Sequence, residues 1–263
     1  MANAITKACL TGSVAQAAYG PYRDVPSVHI PENVDVLLTV GGPWSESHPE
    51  VRDLQVDFVR RWHDKIGRKF KWLWTYPMKN YGRLMAQDIP QHAPHAYISF
   101  YKRVAPYIEG SFAESNCAPG ERLHILHNYL NFYVFSRFAW DRDIDLDAVL
   151  DEHYRLMFGA GAKDMAAFFD ALERIWIGEI AIPSVIDETE FGTIMYRGPD
   201  QCDLKGKIYT PAVVAMLRQS LEKAELKAKS DILSTQRIKW IRRGFYEPLE
   251  ARYAPMVHDG VQR

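Results

Sequence analysis

Cysteines are scarce in this sequence, and the few present exclude two structural classes. Cys9, Cys117 and Cys202 are the only three among 263 residues, and they lie far apart. A disulfide framework needs paired cysteines, and a structural zinc site needs closely spaced cysteine or histidine ligands. His124 and His127 are three positions apart but lack the glutamate of the zinc-protease pattern. We therefore predict no disulfide framework, no metal ion and no other cofactor.

Long apolar runs and an excess of charge of one sign are also missing. No run of about 18 apolar residues occurs, which predicts no membrane span. Residues 1–8 lack a charged region followed by an apolar stretch, so no signal peptide is predicted and the chain as given is expected to stay in the cytoplasm. The net charge of -1 favours neither nucleic acid nor an anionic membrane as a partner. The basic run at residues 65–71 is interpreted as a solvated turn rather than a nucleic-acid patch.

Four short apolar segments in the first part of the chain are predicted to be strands. They are Val14–Tyr19, Val34–Val40, Phe70–Tyr76 and Tyr107–Ala113. The second is the clearest, because it is rich in β-branched residues and is followed by Gly41-Gly42-Pro43. Apolar strands separated by helical crossovers, such as the helix predicted at residues 49–66, favour a parallel sheet that is buried on both faces. Four such strands are about half of an eight-stranded barrel.

Helices dominate the second part of the chain. Their predicted ranges are 123–140, 145–158, 162–177, 210–230 and 234–253, while residues 178–208 show no clear period and are predicted to form an extended loop. We therefore predict an α/β fold in which residues 1–118 form half of a (β/α) TIM-type barrel. Residues 119–263 are predicted to form an α-helical domain.

Polar and aromatic residues follow each predicted strand, where the active sites of parallel α/β proteins lie. A glycosidase needs two carboxyl groups, one to protonate the leaving oxygen and one to act as nucleophile or base, together with aromatic rings that hold the sugar. From its position after the fourth strand, we predict that Glu114 lines such a site. The predicted substrate-binding residues are Tyr19, Trp44, Glu46, Trp74, Tyr76, Asn80 and Asn116.

Each of these residues also has a plainer interpretation. In the plainer interpretation, Glu114 caps the following helix or pairs with an arginine. In the same interpretation, Glu46 lies in a polar loop and is solvated. The rings of Trp44, Trp74 and Tyr76 are equally consistent with packing in the core. The residue types alone do not decide between these interpretations.

Several short motifs resemble a known bacterial family. They include Leu73-Trp74-Thr75-Tyr76, the segment Ile108–Glu114, Phe138-Ala139-Trp140-Asp141 and Asp145-Leu146-Asp147. Together they resemble the domain-of-unknown-function 4838 family, whose members are glycoside-hydrolase-like and related to α-glucuronidases and hexosaminidases. The resemblance covers most of the chain, and Phe158-Gly159 departs from the Tyr-Gly of the family.

The resemblance implies a larger architecture than four strands. Members of the family have a full barrel and are often exported, and this sequence resembles their C-terminal part, from about the fifth strand onward. Glu114 matches the acidic position at the end of the last barrel strand, and the resemblance therefore implies that Glu114 is a catalytic residue. The other half, with at least one further catalytic carboxyl, would come from a missing N-terminal barrel half or from a homo-oligomer partner.

The sequence therefore leads to one functional prediction and two alternatives. The prediction is a glycoside hydrolase, represented by its C-terminal portion, that acts on a complex glycan with paired carboxylates; the chain alone need not be active. The first alternative is a non-catalytic carbohydrate-binding protein that keeps the aromatic residues without the acid pair. The second is a helical scaffold or interaction module formed by residues 120–253.

Overall fold

The chain has an α/β fold in which a parallel sheet is followed by helices, as predicted. The computed structural model describes residues 1–8, 11–78, 89–115, 126–181, 185–188, 194–197 and 203–253. Six strands lie within these residues: β1 Val14–Ala18, β2 Val34–Val40, β3 Phe70–Met78, β4 Ile108–Ser115, β5 Val185–Glu188 and β6 Ile194–Arg197. The helices there are α1 Ala2–Lys7, α2 Pro49–Ile66, α3 Pro94–Val104, α4 Tyr129–Trp140, α5 Leu146–Phe158, α6 Ala162–Ile175, α7 Pro211–Ala228, α8 Ile232–Ile241 and α9 Glu247–Tyr253.

The first four strands form one sheet in chain order, β1-β2-β3-β4, and every neighbouring pair is parallel. In its register Leu38 lies opposite Leu73, Thr39 opposite Trp74, and Trp74 opposite Phe112. Helix α2 connects β2 to β3, and α3 precedes β4. All four predicted strands are present, and β4 extends two residues beyond its predicted end.

Helices pack against one face of this sheet, which we call the covered face. Leu38 and Leu73 on this face are fully buried. Tyr101 of α3 reaches the same face, where its hydroxyl oxygen lies 2.7 Å from Thr75 Oγ1 and 3.3 Å from Ser111 Oγ. Alternate residues along each strand therefore face the helices.

The opposite face, which we call the exposed face, carries Leu37, Thr39, Trp72, Trp74, Gly110, Phe112 and Glu114. Trp72 and Phe112 are each 48% exposed. The ring of Trp72 lies over Gly110, where an added Cβ would meet it at 3.5 Å. The predicted burial of the sheet on both faces is thus wrong for the single chain, because the apolar pattern of a strand does not tell whether a partner covers it.

Capping residues fix the helix boundaries where the sequence predicts them. His48 Nδ1 accepts from the N–H of Val51 at the start of α2, and Gly67 ends the same helix with a left-handed φ of 72°. Asp145 accepts from Ala148 N at the start of α5, and Thr210 accepts from Val213 N at the start of α7. These side chains satisfy backbone N–H groups that have no partner inside the helix.

The second part of the chain differs from its prediction in two places. The predicted loop at residues 178–208 contains β5 and β6, which pair antiparallel, and a π-helical turn at Leu204–Ile208. The last predicted helix is divided by a π-helical turn, Arg242–Tyr246, into α8 and α9. Residues 116–125, which include the start of the helix predicted at 123–140, lie outside the described residues.

The two parts of the chain share one hydrophobic core. The buried side chains form a single cluster that includes residues before and after the predicted domain boundary. Trp44 packs against Trp176 with ring centroids 5.3 Å apart, and Ser47 Oγ donates to the carbonyl of Ala181 at 3.0 Å. The boundary at residues 118 and 119 lies outside the described residues, so the division into two domains stays a prediction.

Candidate functional site

A cluster of aromatic and polar side chains lies at the carboxyl ends of the parallel strands. We call it the strand-end cluster, and it consists of Tyr19, Thr39, Trp74, Tyr76, Phe112 and Glu114. The register places Thr39, Trp74 and Phe112 in one row across β2, β3 and β4. Two residues further on, β3 and β4 carry Tyr76 and Glu114. The alternation of side chains along the strands brings these residues to the exposed face.

Glu114 is held in this cluster by an indole group. Trp74 Nε1 donates a hydrogen bond of 2.8 Å to Glu114 Oε2, and both side chains are partly buried. The Trp74 ring in turn packs on Phe112 with centroids 4.6 Å apart. An indole N–H is a neutral donor, so this hydrogen bond orients the carboxyl group without forming an ion pair. Glu114 is therefore a fixed acidic group beside aromatic rings.

Tyr76 adds a phenol next to this carboxylate. Burial raises the pKa of Tyr76 well above its ordinary value, and the nearby Tyr19 and Glu114 raise it further. Tyr76 also hydrogen bonds with Tyr19 and Thr39. Its hydroxyl consequently stays protonated at neutral pH, where it can donate a hydrogen bond to a bound hydroxyl or carbonyl group.

The structure does not bring Trp44 and Glu46 into the strand-end cluster. Both belong to a short 3₁₀ turn, Pro43–Ser47, that packs against α3. Glu46 accepts from Ser99 Oγ at 2.7 Å and from Arg103 Nε at 3.0 Å. Trp44 is buried between Tyr97 and Trp176. The ion pair and the core packing give these two residues structural roles in the observed fold.

Two further predicted residues, Asn80 and Asn116, lie outside the described residues. Thr39 and Phe112 were not predicted, because they lie inside strands rather than after them. Their signal was the period of two, since Phe112 precedes Glu114 by two positions and so shares its face. Tyr19, Trp74, Tyr76 and Glu114 are the predicted residues that the structure brings together.

A second group of titratable residues joins α3 to the later helices. His95 Nδ1 lies 2.7 Å from Glu173 Oε2 on α6, and His95 Nε2 lies 3.1 Å from Asp147 Oδ1 on α5. The hydrogen bond to Glu173 is the main cause that raises the pKa of His95 to about 9. His95 is therefore charged at neutral pH. It stabilises the contact between α3 and the two later helices.

Neither a metal centre nor a membrane span is found in the part of the chain that the structure describes. Within those residues no three His, Cys, Asp or Glu side chains are placed to hold a metal ion. Their helices are either too short or too polar to cross a bilayer. The strand-end cluster thus offers one oriented carboxylate, one protonated phenol and several aromatic surfaces. No family model, curated protein or solved structure matches the chain.

Proposed function

We propose that this chain is part of a glycoside hydrolase acting on a complex glycan, and that its four-stranded sheet is half of a (β/α) TIM-type barrel. The sheet supports this proposal, since its strands are parallel, follow one another in chain order and have helices packed on one face. That is the arrangement of consecutive units in a barrel. The motifs that resemble the domain-of-unknown-function 4838 family support membership in that family as part of the same proposal.

One observation carries the functional proposal, namely the hydrogen bond between Trp74 Nε1 and Glu114 Oε2 at the carboxyl edge of the sheet. Barrel enzymes place their catalytic groups at this edge. In the proposed role Glu114 contacts the glycosidic bond as one of two carboxyl groups, either protonating the leaving oxygen or acting as nucleophile or base. The rings of Trp74 and Phe112 offer apolar surfaces for a sugar ring, and the Tyr76 hydroxyl donates to a sugar hydroxyl.

A non-catalytic carbohydrate-binding function is the second candidate, and one observation favours it. The strand-end cluster contains a single carboxylate among the residues that the structure describes. Hydrolysis by the usual mechanism needs two. A cluster with aromatic rings, a phenol and one acid is sufficient for binding a sugar without cleaving it.

The two candidates are distinguished by replacing Glu114 with its uncharged isostere. Turnover is measured on a panel of aryl glycosides and oligosaccharides, and binding is measured by calorimetry on the same oligosaccharides. For a hydrolase, Glu114→Gln lowers kcat by about 100-fold or more while binding persists. Glu109→Gln is the matched control, since Glu109 is an exposed glutamate on the same strand. Its turnover is expected to equal that of the unmodified chain.

Other outcomes of this experiment are equally decisive. Binding without turnover in the unmodified chain favours the carbohydrate-binding candidate. A chain that neither binds nor cleaves any sugar of the panel contradicts the sugar-binding role of the strand-end cluster, on which both candidates rest. Equal losses in Glu114→Gln and Glu109→Gln contradict the role given to Glu114.

A further inference from the structure

Among the residues that the structure describes, the four-stranded sheet has an apolar face and two edges without partners. On the exposed face Trp72 and Phe112 keep about half of their surface accessible. The sheet begins with β1 and ends with β4, and neither has a second neighbouring strand among the residues that the structure describes. Parallel sheets occur almost only with both faces covered, and unpaired edges promote association with other strands. A partner of this surface would therefore have to pair with the edges of β1 and β4 and also cover the exposed face.

We infer that the partner is a second copy of this chain, and that two copies close one eight-stranded barrel. Four parallel strands from each copy give the eight of a closed (β/α) barrel. A two-fold rotation about an axis parallel to the strands leaves the direction of the strands unchanged. In the dimer, β4 of one copy therefore lies parallel to β1 of the other. The same rotation forms the second joint between the remaining β1 and β4. Both free edges are then paired and the assembly is closed.

The edges are suited to such a joint. Arg142 donates to the carbonyls of Ile108 and Glu109 at the start of β4, which leaves the strand from Gly110 to Ser115 for pairing. This stretch is long enough to pair with all of β1, Val14–Ala18. A second copy brings one edge of each kind, whereas an unrelated partner would have to match both edges independently.

The side chains on the exposed face are suited to a barrel interior. Small residues lie on the strands that meet at the joints, namely Ala15 and Ala17 on β1 and Gly110 on β4. Large rings lie on β3 and further along β4, where Trp72, Trp74 and Phe112 stand. Eight-stranded barrels are filled by their own side chains, with large and small residues alternating. The net charge of -1 per copy gives little repulsion between the two halves.

Closure by a second copy also completes the proposed site, and this part of the inference rests on the proposed function. The two-fold axis brings a second Glu114 to the same carboxyl edge of the barrel. A chain with one carboxylate in its strand-end cluster would thereby acquire the pair that glycoside hydrolysis requires. Each copy would contribute one of the two acids to a shared site.

The dimer is tested by the mass of the full chain in solution, measured by light scattering after gel filtration at about 1 to 100 µM protein. One chain has a mass of 30.3 kDa, and we expect twice that value across the range. Trp72→Glu places a charge inside the proposed barrel and is expected to give the monomer mass. Trp140→Glu is the matched control, because Trp140 on α4 is 94% exposed, and it is expected to keep the dimer mass.

Circular dichroism shows whether each variant is folded, and Phe112→Glu repeats the test at a second position of the same face. A monomer mass for the unmodified chain overturns the inference and indicates that another segment or partner covers the face. A dimer that persists in folded Trp72→Glu or Phe112→Glu also overturns it, since association then uses another surface. The mass does not depend on sugar turnover. A dimer without activity therefore rejects the glycosidase proposal alone, and an active monomer rejects the dimer alone.

Discussion

The covered and exposed faces of the sheet are formed by the same strands but have different surroundings. Leu73 is fully buried under the helices, while its neighbour Trp72 is half accessible on the other side. Both residues are apolar, so hydrophobicity does not distinguish them. What differs is the partner, which the chain supplies for one face from α2 and α3. An apolar face thus marks a surface that has to be covered, without indicating what covers it.

The largest expected effect comes from removing a side chain of the covered face. Leu73→Ala leaves a cavity in close-packed surroundings and is expected to lower the free energy of unfolding by about 2 to 5 kcal/mol. Phe112→Ala on the exposed face removes a larger side chain but only half of its surface is buried, so a smaller loss is expected. Urea denaturation of both variants measures the difference. Equal losses under conditions where the measured mass is that of one chain would mean that the two faces do not differ in burial within that chain.

A smaller effect on the free energy of unfolding is expected from removing the Tyr101 hydroxyl, which contacts the covered face. Tyr101→Phe removes the hydrogen bond to Thr75 and leaves the buried Thr75 hydroxyl without that partner. The expected loss is about 1 to 2 kcal/mol in the free energy of unfolding. Tyr22→Phe is the control, since Tyr22 is 76% exposed, and it is expected to have no effect. An unchanged stability in Tyr101→Phe would contradict a net contribution of this hydrogen bond to the free energy of unfolding.

The smallest effect concerns the contact between α3 on the covered face and the later helices. The pKa of His95 is raised from 6.5 to about 9 by Glu173 and Asp147. Its charge therefore adds stability that is complete below about pH 6.5 and is lost as the pH rises through about 9. Because His95 is about half exposed, the contribution is expected to stay below about 1 kcal/mol.

Thermal unfolding at several values between about pH 6 and pH 10 measures this loss. In His95→Gln the part of the pH dependence that His95 causes is expected to disappear. His63→Gln, at a histidine on α2 that lies next to Asp64, serves as the control. A pH dependence that is the same in His95→Gln and in the unmodified chain would contradict the assignment to His95.

Local signals in the sequence were sufficient for most of the sheet and its first helix. Gly42 and Pro43 stop β2, and Pro49 and Gly67 delimit α2, so their ends were readable without knowledge of the tertiary structure. The pair β5 and β6 was missed because scattered Gly and Pro residues hide the alternation of such short strands. Burial of the sheet on both faces was wrong because it depends on a partner outside the strands.

The candidate site was predictable to the extent that it follows from strand ends. Trp74, Tyr76 and Glu114 meet because parallel strands in register bring their carboxyl ends to one edge. Trp44 and Glu46 also follow a strand, but their short turn folds back onto α3, where Arg103 and Tyr97 hold them. Such long-range contacts leave no local pattern in the sequence.

The hydrogen bond between Trp74 and Glu114 also gives the protein an intrinsic optical probe. An indole whose N–H is bound to a carboxylate emits fluorescence that depends on the charge and polarity beside the ring. A molecule that displaces Glu114 or stacks on the ring will alter this emission. The chain has 7 Trp, so the difference between the spectra of the unmodified chain and Trp74→Phe isolates the signal. Unlabelled protein can therefore be titrated directly with candidate sugars.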